Sequence, residues 1–315
     1  MTNPPILISR EEVQALLDWQ AVYDATREGL IASETAPDSS AVSAQVLYDQ
    51  GSLHLKAASL ESGRILSVKA NLRPNQGGVS GVLLAYDLDT QRLAGIIDAG
   101  LMTARRTGAI AAVAAERLNT VAPVTVAVLG LGPVGMECAR ALLRVLDVVE
   151  LRLWSPNITA TEQAAISIAG PERVIACRTS TEAISGANIV VTATPSTTPI
   201  LTAEGLSPGT LILAMGADTA GKRELDSTVL DNADVVADVP FDALRVGESA
   251  YLPAGRQAEV TAISQLLASS HQLRRGHPYL IFDSVGSSYV DAAITSIIMT
   301  RARERGIGSE IHLWR

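Results

Sequence analysis

Three residues could together carry out chemistry on a carbon–nitrogen double bond: Lys69, Arg106 and Asp218. Such chemistry needs a polarised C=N, a proton source and a hydride donor held in place. Asp218 lies just past the aliphatic run Leu211–Met215, on the edge of a parallel sheet where ligands bind. There it can hold an iminium by charge or relay a proton to an amine. Lys69 can donate a proton, orient water or pair with a carboxylate, because partial desolvation lowers a lysine pKa. Arg106 offers a bidentate fork to a carboxylate. Its neighbour Arg105 points about 100° away on a helix, so at most one of the two faces a cleft. Each residue also has a plain reading. Asp218-Thr219-Ala220-Gly221 is a possible turn or helix cap, Lys69 a solvated strand position and Arg106 a surface charge.

The hydride donor is implied by Val126-Ala127-Val128-Leu129-Gly130-Leu131-Gly132-Pro133-Val134-Gly135. This is G-x-G-x-x-G directly after an aliphatic strand and opening a helix. Gly130 permits the tight turn, Gly132 lets the backbone approach a pyrophosphate, and Gly135 lets the helix pack on the strand. Leu131, Pro133 and Val134 complete the turn, and the helix N-terminus presents N–H groups to phosphate. The ribose is read at the end of the next strand. Counting about 20 residues on reaches Glu150, but that residue begins its strand, roughly 15 Å short of the carboxyl end. The position facing the ribose is Ser155-Pro156-Asn157, which carries neither an acid nor a base. The cofactor class is NAD(P)(H), and the missing acid favours NADP(H). Ala193-Thr194-Pro195-Ser196 ends another strand with small and hydroxylated residues suited to close cofactor approach.

These residues need two kinds of scaffold. From Ala122-Pro123 onward, aliphatic strands alternate with helices: Thr125–Leu129, a helix over Val134–Val145, Val149–Trp154, a helix after Ala160, Val174–Cys177, Ile189–Ala193, Leu211–Met215, Val235–Val236 and Tyr279–Phe282. That alternation predicts an α/β Rossmann domain with a doubly wound parallel sheet. Before it, residues 10–34 read as a helix. Residues 44–98 read as short antiparallel strands, and 99–118 as an Ala-rich helix. The expected division is 1–116 plus about 295–315 as an α+β substrate-binding domain, with 117–294 binding the nucleotide.

The chain has 315 residues, 25 basic and 33 acidic, for a net charge of −8, and is 47% hydrophobic but only 3% aromatic. The core must therefore be aliphatic, disorder is excluded, and nucleic acid is not an expected partner. Cys138 and Cys177 are too few for a disulfide framework and fit a reducing cytoplasm. No secretory signal or membrane helix is read. His54, His271, His277 and His312 lack metal-ligand spacing, so no metal is expected.

Several ordered motifs resemble the ornithine cyclodeaminase/mu-crystallin family: Lys69-Ala70-Asn71, Gly81–Leu84, Leu101–Thr107, Gly130–Gly135, Met215–Asp218 with Gly221–Leu225, and Phe282–Gly286. The resemblance spans about residues 5–310. It implies a Rossmann domain beside a substrate domain whose strands associate in a homodimer. It also implies a small amino or imino acid substrate. By motif, Lys69 and Arg106 would face the substrate and Asp218 the reacting carbon and nitrogen. Thr107 would lie near the cofactor phosphates, Lys222 near the cofactor, Val285 and Gly286 near the nicotinamide, and Asp291 near the substrate's distal end. One departure concerns the substrate. Ser43–Val46 lacks the arginine that family members use on simple amino acids, and the nearby strand carries His54 and Lys56. Either the substrate differs or Lys56 binds its carboxylate. The expected activity is NAD(P)H-dependent reduction of imines of 2-keto acids. The alternatives are an ammonia lyase with recycled NAD and a non-catalytic nucleotide-binding protein.

Overall fold

The computed structural model describes residues 4–313 apart from 37–39, 75–77, 169, 171–172, 270–272 and 274–275; His271 lies outside the described residues. The chain starts with β1 (Ile6–Ile8), α1 (Arg10–Leu16) and α2 (Trp19–Thr35). The helix expected over 10–34 is thus two helices. Asp18 accepts a 2.8 Å bond from the Ala21 N–H and starts α2 afresh, as an N-cap aspartate does. A capping box of Ser9 and Glu12 opens α1.

Five strands follow: β2 (Ala41–Tyr48), β3 (Gly51–Leu60), β4 (Ile65–Pro74), β5 (Ser80–Asp87) and β6 (Arg92–Asp98). They lead to α3 (Gly100–Leu118). The alternating stretch then gives β7 (Val124–Leu129), α4 (Pro133–Val145), β8 (Val148–Trp154), α5 (Ile158–Ile166), β9 (Arg173–Ala176), α6 (Ser180–Ile184), β10 (Ile189–Thr192) and β11 (Leu211–Ala214). It continues through α7 (Ser227–Leu230), β12 (Ala233–Ala237), α8 (Pro240–Val246), β13 (Thr261–Ala262), α9 (Ile263–Ala268) and β14 (Tyr279–Asp283). The last elements are α10 (Ser288–Arg305) and β15 (Ser309–Glu310).

The chain forms two compact units, 1–106 with 287–315, and 107–286. Both divisions fall earlier than the expected 116/117 and 294/295. The first lies inside α3, one continuous helix whose sequence has no break to mark it.

The first unit holds a seven-stranded mixed sheet in the order β15-β1-β6-β5-β4-β3-β2. β2 to β6 pair antiparallel, while β1, which the hydrophobic pattern did not reveal, runs parallel to β6. β3 and β4 alternate buried and half-buried residues along nearly their full length, the signature of one covered face. α10 packs over β3 and β4 and against α2. A methyl at Gly29 of α2 would lie 2.6 Å from the Val290 Cα, so the two helices approach backbone to backbone.

The second unit holds an eight-stranded, all-parallel sheet in the order β13-β12-β14-β11-β10-β7-β8-β9. Its core is aliphatic, including Leu129, Val190, Leu201, Ile212, Leu225 and Ile281. The strand order reverses between β7 and β10, and such a switch point opens a crevice at the carboxyl ends of the strands.

Candidate active site

In the second unit, β7 ends at Leu129 and the chain turns at Gly130, with φ of +100°. A β-carbon there would sit 2.5 Å from the Ala193 carbonyl oxygen, and one at Gly135 would sit 1.9 Å from the Gly130 oxygen. Neither position therefore tolerates a side chain without backbone movement. Gly132 caps α4 without any side-chain bond, and Pro133 follows at its first position. Leu131 and Val134 are half-buried and Gly132 and Pro133 exposed, so the turn offers backbone to solvent at the switch point. A pyrophosphate fits this cradle: its room is at Gly132, where a β-carbon would meet nothing within 4 Å, and its donors are the first N–H groups of α4.

Past β8, Ser155 and Asn157 serve the next helix. Asn157 accepts from the Ala160 N–H at 3.2 Å, and the Ser155 hydroxyl lies 2.9 Å from that of Thr161. Glu150 is ion-paired within its own sheet, to Arg152 at 2.6 Å and Arg173 at 3.1 Å.

Buried carboxylates hold the other strand ends. Glu224 is fully buried and accepts from Thr192, from the hydroxyl and N–H of Thr194, and from the Gly216 N–H, all within 3.0 Å. It thereby ties the ends of β10 and β11 together. The Thr194 hydroxyl is engaged there, Pro195 follows, and the Ser196 hydroxyl bonds the Thr198 carbonyl at 2.6 Å. Asp238 accepts from the Ser284 hydroxyl and from the N–H groups of Val285 and Gly286 at 2.8, 3.1 and 2.7 Å, fixing the loop after β14. Glu248 accepts from the N–H groups of Glu224 and Leu225, and Asp283 from Ser249. Burial raises the pKa of Glu224 despite its hydrogen bonds. It pushes Glu248 to about 8 and Asp283 to about 7. The sequence alone marks no role for these four acids. The available signal was carboxylates at the ends of aliphatic strands, where burial demands partners.

Asp218 follows β11 and is ion-paired to Lys222 at 2.9 Å; Lys222 also donates to the Gly216 carbonyl at 3.2 Å. The two residues expected at the reacting atoms and near the cofactor thus form one pair. Both are half-buried, and Asp218 retains some access to solvent. Thr107 is buried at the start of this unit.

In the first unit, the covered face of the sheet is polar where it would ordinarily be apolar. β3 and β4 pair Lys56 with Lys69 and His54 with Asn71, and β2 adds Ser43 opposite Lys56 and Gln45 opposite His54. Lys69 is 2% exposed and Arg106 4%. Both reach Asp291 of α10, which is fully buried, Lys69 at 2.5 Å and Arg106 at 3.2 Å. Asp291 thus sits between these two cations: a buried carboxylate requires counter-charge, and here they supply it. Burial pushes its pKa up, but Lys69, Arg106 and Lys56 outweigh burial and hold it low. Burial and the neighbouring Arg106 lower Lys69 to about 7, against the pull of Asp291. Lys56 donates to Ser43 at 3.4 Å, and His54 lies 2.9 Å from Ser52 and 3.1 Å from Gln45. Arg105, by contrast, turns away and bonds the Leu17 carbonyl at 2.9 Å.

Cys138 is buried, and burial lifts its thiol to about 12. Among the described residues no group of three His, Cys, Asp or Glu side chains could hold a metal ion. No helix among them is long and apolar enough to cross a membrane.

Residues 6–306 match the family model described as ornithine cyclodeaminase/mu-crystallin family. The L-lysine cyclodeaminase of Streptomyces rapamycinicus is 28% identical over 246 residues, covering 76% of this chain and 71% of its own length. The iminosuccinate reductase of Paracoccus denitrificans is 26% identical over 327 residues, covering 98% of this chain and all of its own. Among solved structures, an archaeal alanine dehydrogenase dimer with bound NAD superposes with a TM-score of 0.88 at 25% identity, covering 98% of this chain and 99% of that one.

Proposed function

Since the chain belongs to the ornithine cyclodeaminase/mu-crystallin family, whose members include dehydrogenases, reductases and cyclodeaminases acting at carbon–nitrogen bonds, we propose that it reduces the imine of a 2-keto acid to the amine with NAD(P)H. The observation that carries this reading is the buried pair Lys69 and Arg106 around Asp291. Such a costly cluster of charges suits the capture of a carboxylate in a site that excludes water.

When bound, the nicotinamide cofactor supplies a hydride. The N–H groups opening α4 would hold its pyrophosphate, and Asp238 fixes the Val285-Gly286 backbone that would lie beside its nicotinamide. Glu224 keeps the ends of β10 and β11 in register. In the overall balance the imine carbon gains a hydride, for which the reduced cofactor would be the two-electron donor, and the nitrogen gains a proton. Arg106 and Lys69 orient the substrate carboxylate. Asp218 holds the iminium by charge, and its pairing with Lys222 keeps the carboxylate aimed. General acid–base or electrostatic help of this kind is worth about 10²–10⁴ in rate.

A screen of 2-keto acids plus amines with NADH and NADPH tests the reading and also decides the nucleotide. Turnover should fall at least a hundredfold in Asp218→Asn while nucleotide binding, followed by nicotinamide fluorescence, persists. Full turnover in that variant refutes the role of Asp218. Ammonia release from ornithine without net NADH change would instead assign the lyase.

The same reading includes a homodimer. The sheet face opposite Lys56 and Lys69 carries Val42 (58% exposed), Val46, Leu72 and Val82, an apolar surface of the kind that marks an interface. Val42→Glu with Val46→Glu should give monomers in sedimentation.

A further inference from the structure

The four buried acids of the second unit hold one another's segments in series. Asp238, just past β12, accepts from the Ser284 hydroxyl and from the N–H groups of Val285 and Gly286. Asp283, the residue before Ser284, accepts from the N–H and the hydroxyl of Ser249 at 2.7 and 2.6 Å. Glu248, the residue before Ser249, accepts from the N–H groups of Glu224 and Leu225 at 2.6 and 3.2 Å. Glu224 accepts in turn from Thr192, Thr194 and Gly216. The bonds thus run without a gap from the end of β12, through the ends of β14 and β11, to the end of β10. These carboxyl ends form the edge of the sheet where ligands bind.

Among the described residues none of the four acids pairs with a basic side chain. α8 leads to Gly247, whose β-carbon would lie 2.7 Å from Asp283 Oδ2, but the Arg245 of that helix is paired to Asp242. Cys138 of α4, which feels the charge of Glu224, stays neutral, its thiol raised to about 12. Seven of the eight carboxylate oxygens accept a hydrogen bond. The eighth, Asp283 Oδ1, is buried without a partner. A charged carboxylate with a bare buried oxygen, close to other carboxylates, is costly. A proton on Oδ1 removes that charge and displaces no accepted bond.

Resting on the nucleotide cradle described above, we propose that the four acids act as one clasp across these strand ends, that Asp283 is its proton-bearing joint, and that the unit binds nucleotide more tightly while that proton is in place. Asp283 acts as a positioning residue, through Ser249 on one side and through the loop gripped by Asp238 on the other. When ionised, it is opposed by Asp238, whose N–H donates to the Asp283 carbonyl at 3.2 Å, and by Glu248. That repulsion loosens the Val285-Gly286 loop, and the added charge opposes a pyrophosphate at the same sheet edge. Burial moves the Asp283 titration to about 7. A raised carboxyl keeps its proton below that value, so affinity falls as pH rises through it.

Nucleotide affinity is titrated by nicotinamide fluorescence with NADH and with NADPH. Wild-type affinity should fall at least tenfold from pH 6 to pH 8.5. Asp283→Asn, a neutral isostere of the protonated acid, should keep its pH 6 affinity throughout. The nucleotide's own titration is common to both proteins and cancels in the comparison. Ser249→Ala removes a bond that favours the ionised form, so its midpoint should move to higher pH; this variant decides the matter should Asp283→Asn not fold. A flat wild-type profile, an equal fall in Asp283→Asn or an unmoved midpoint in Ser249→Ala overturns the proposal. Infrared difference spectra between pH 6 and pH 8.5 read the proton without nucleotide: the wild type should lose a protonated-carboxyl band that Asp283→Asn lacks. Absence of nucleotide binding at every pH refutes the cradle itself, whereas identical infrared differences in the two proteins refute the proton on Asp283.

Discussion

Replacing Asp291 by Asn removes the carboxylate around which the cationic cluster is organised. The structure sets the size of the effect. At an effective dielectric of about 20, unit charges 4 Å apart interact by about 4 kcal/mol. The Lys69 and Arg106 contacts, at 2.5 and 3.2 Å, are closer than that. Part of the gain is spent on desolvation, and breaking a buried pair by removing one partner typically costs about 3–5 kcal/mol. The loss should also depend on pH. Lys69 already titrates at about 7, below its ordinary 10.5, so folding releases a proton between those values and this group's contribution rises with pH across that window. Without Asp291, which raises it, its pKa drops further. At pH 6 the wild-type lysine keeps its proton and the variant gives it up, at about 1 kcal/mol extra. At pH 9 both are neutral and the extra loss vanishes. Urea unfolding of Asp291→Asn and wild type at pH 6 and pH 9 reads this directly, and contributions from the second unit cancel in the difference. A variant as stable as wild type, or one equally destabilised at both pH values, would refute the reasoning.

Two further predictions concern the second unit. Asp283 is raised from 3.8 to about 7 by burial, so the folded state takes up a proton and stability falls as pH rises toward 7. Between pH 5 and pH 8 the wild type should lose roughly 3 kcal/mol that Asp283→Asn keeps, measured by urea midpoints; parallel curves would exclude a protonated Asp283. Gly135→Ala places a methyl 1.9 Å from the Gly130 oxygen, so the turn must move. Nucleotide affinity should fall at least tenfold in a fluorescence titration, and unchanged affinity would show that the cradle is not the phosphate site.

The sequence by itself determined the Rossmann half of the protein. Aliphatic strands alternating with helices, and glycines at Gly130, Gly132 and Gly135, are local signals, because a parallel sheet buries whole runs and a phosphate turn excludes β-carbons. It also picked out Lys69, Arg106 and Asp218 as the groups with chemistry to offer. It did not show that Asp291, more than two hundred residues from Lys69 in the chain, sits at 2.5 Å from it, nor that Asp218 is held by Lys222. Nor did it mark Glu224 and Asp238 as the clamps of the strand ends, or the division inside α3. Those facts depend on pairing across distant segments. Burial and ion pairing are properties of the packed sheet and of α10 laid upon it. A carboxylate's neighbours are decided only when the chain has closed around it.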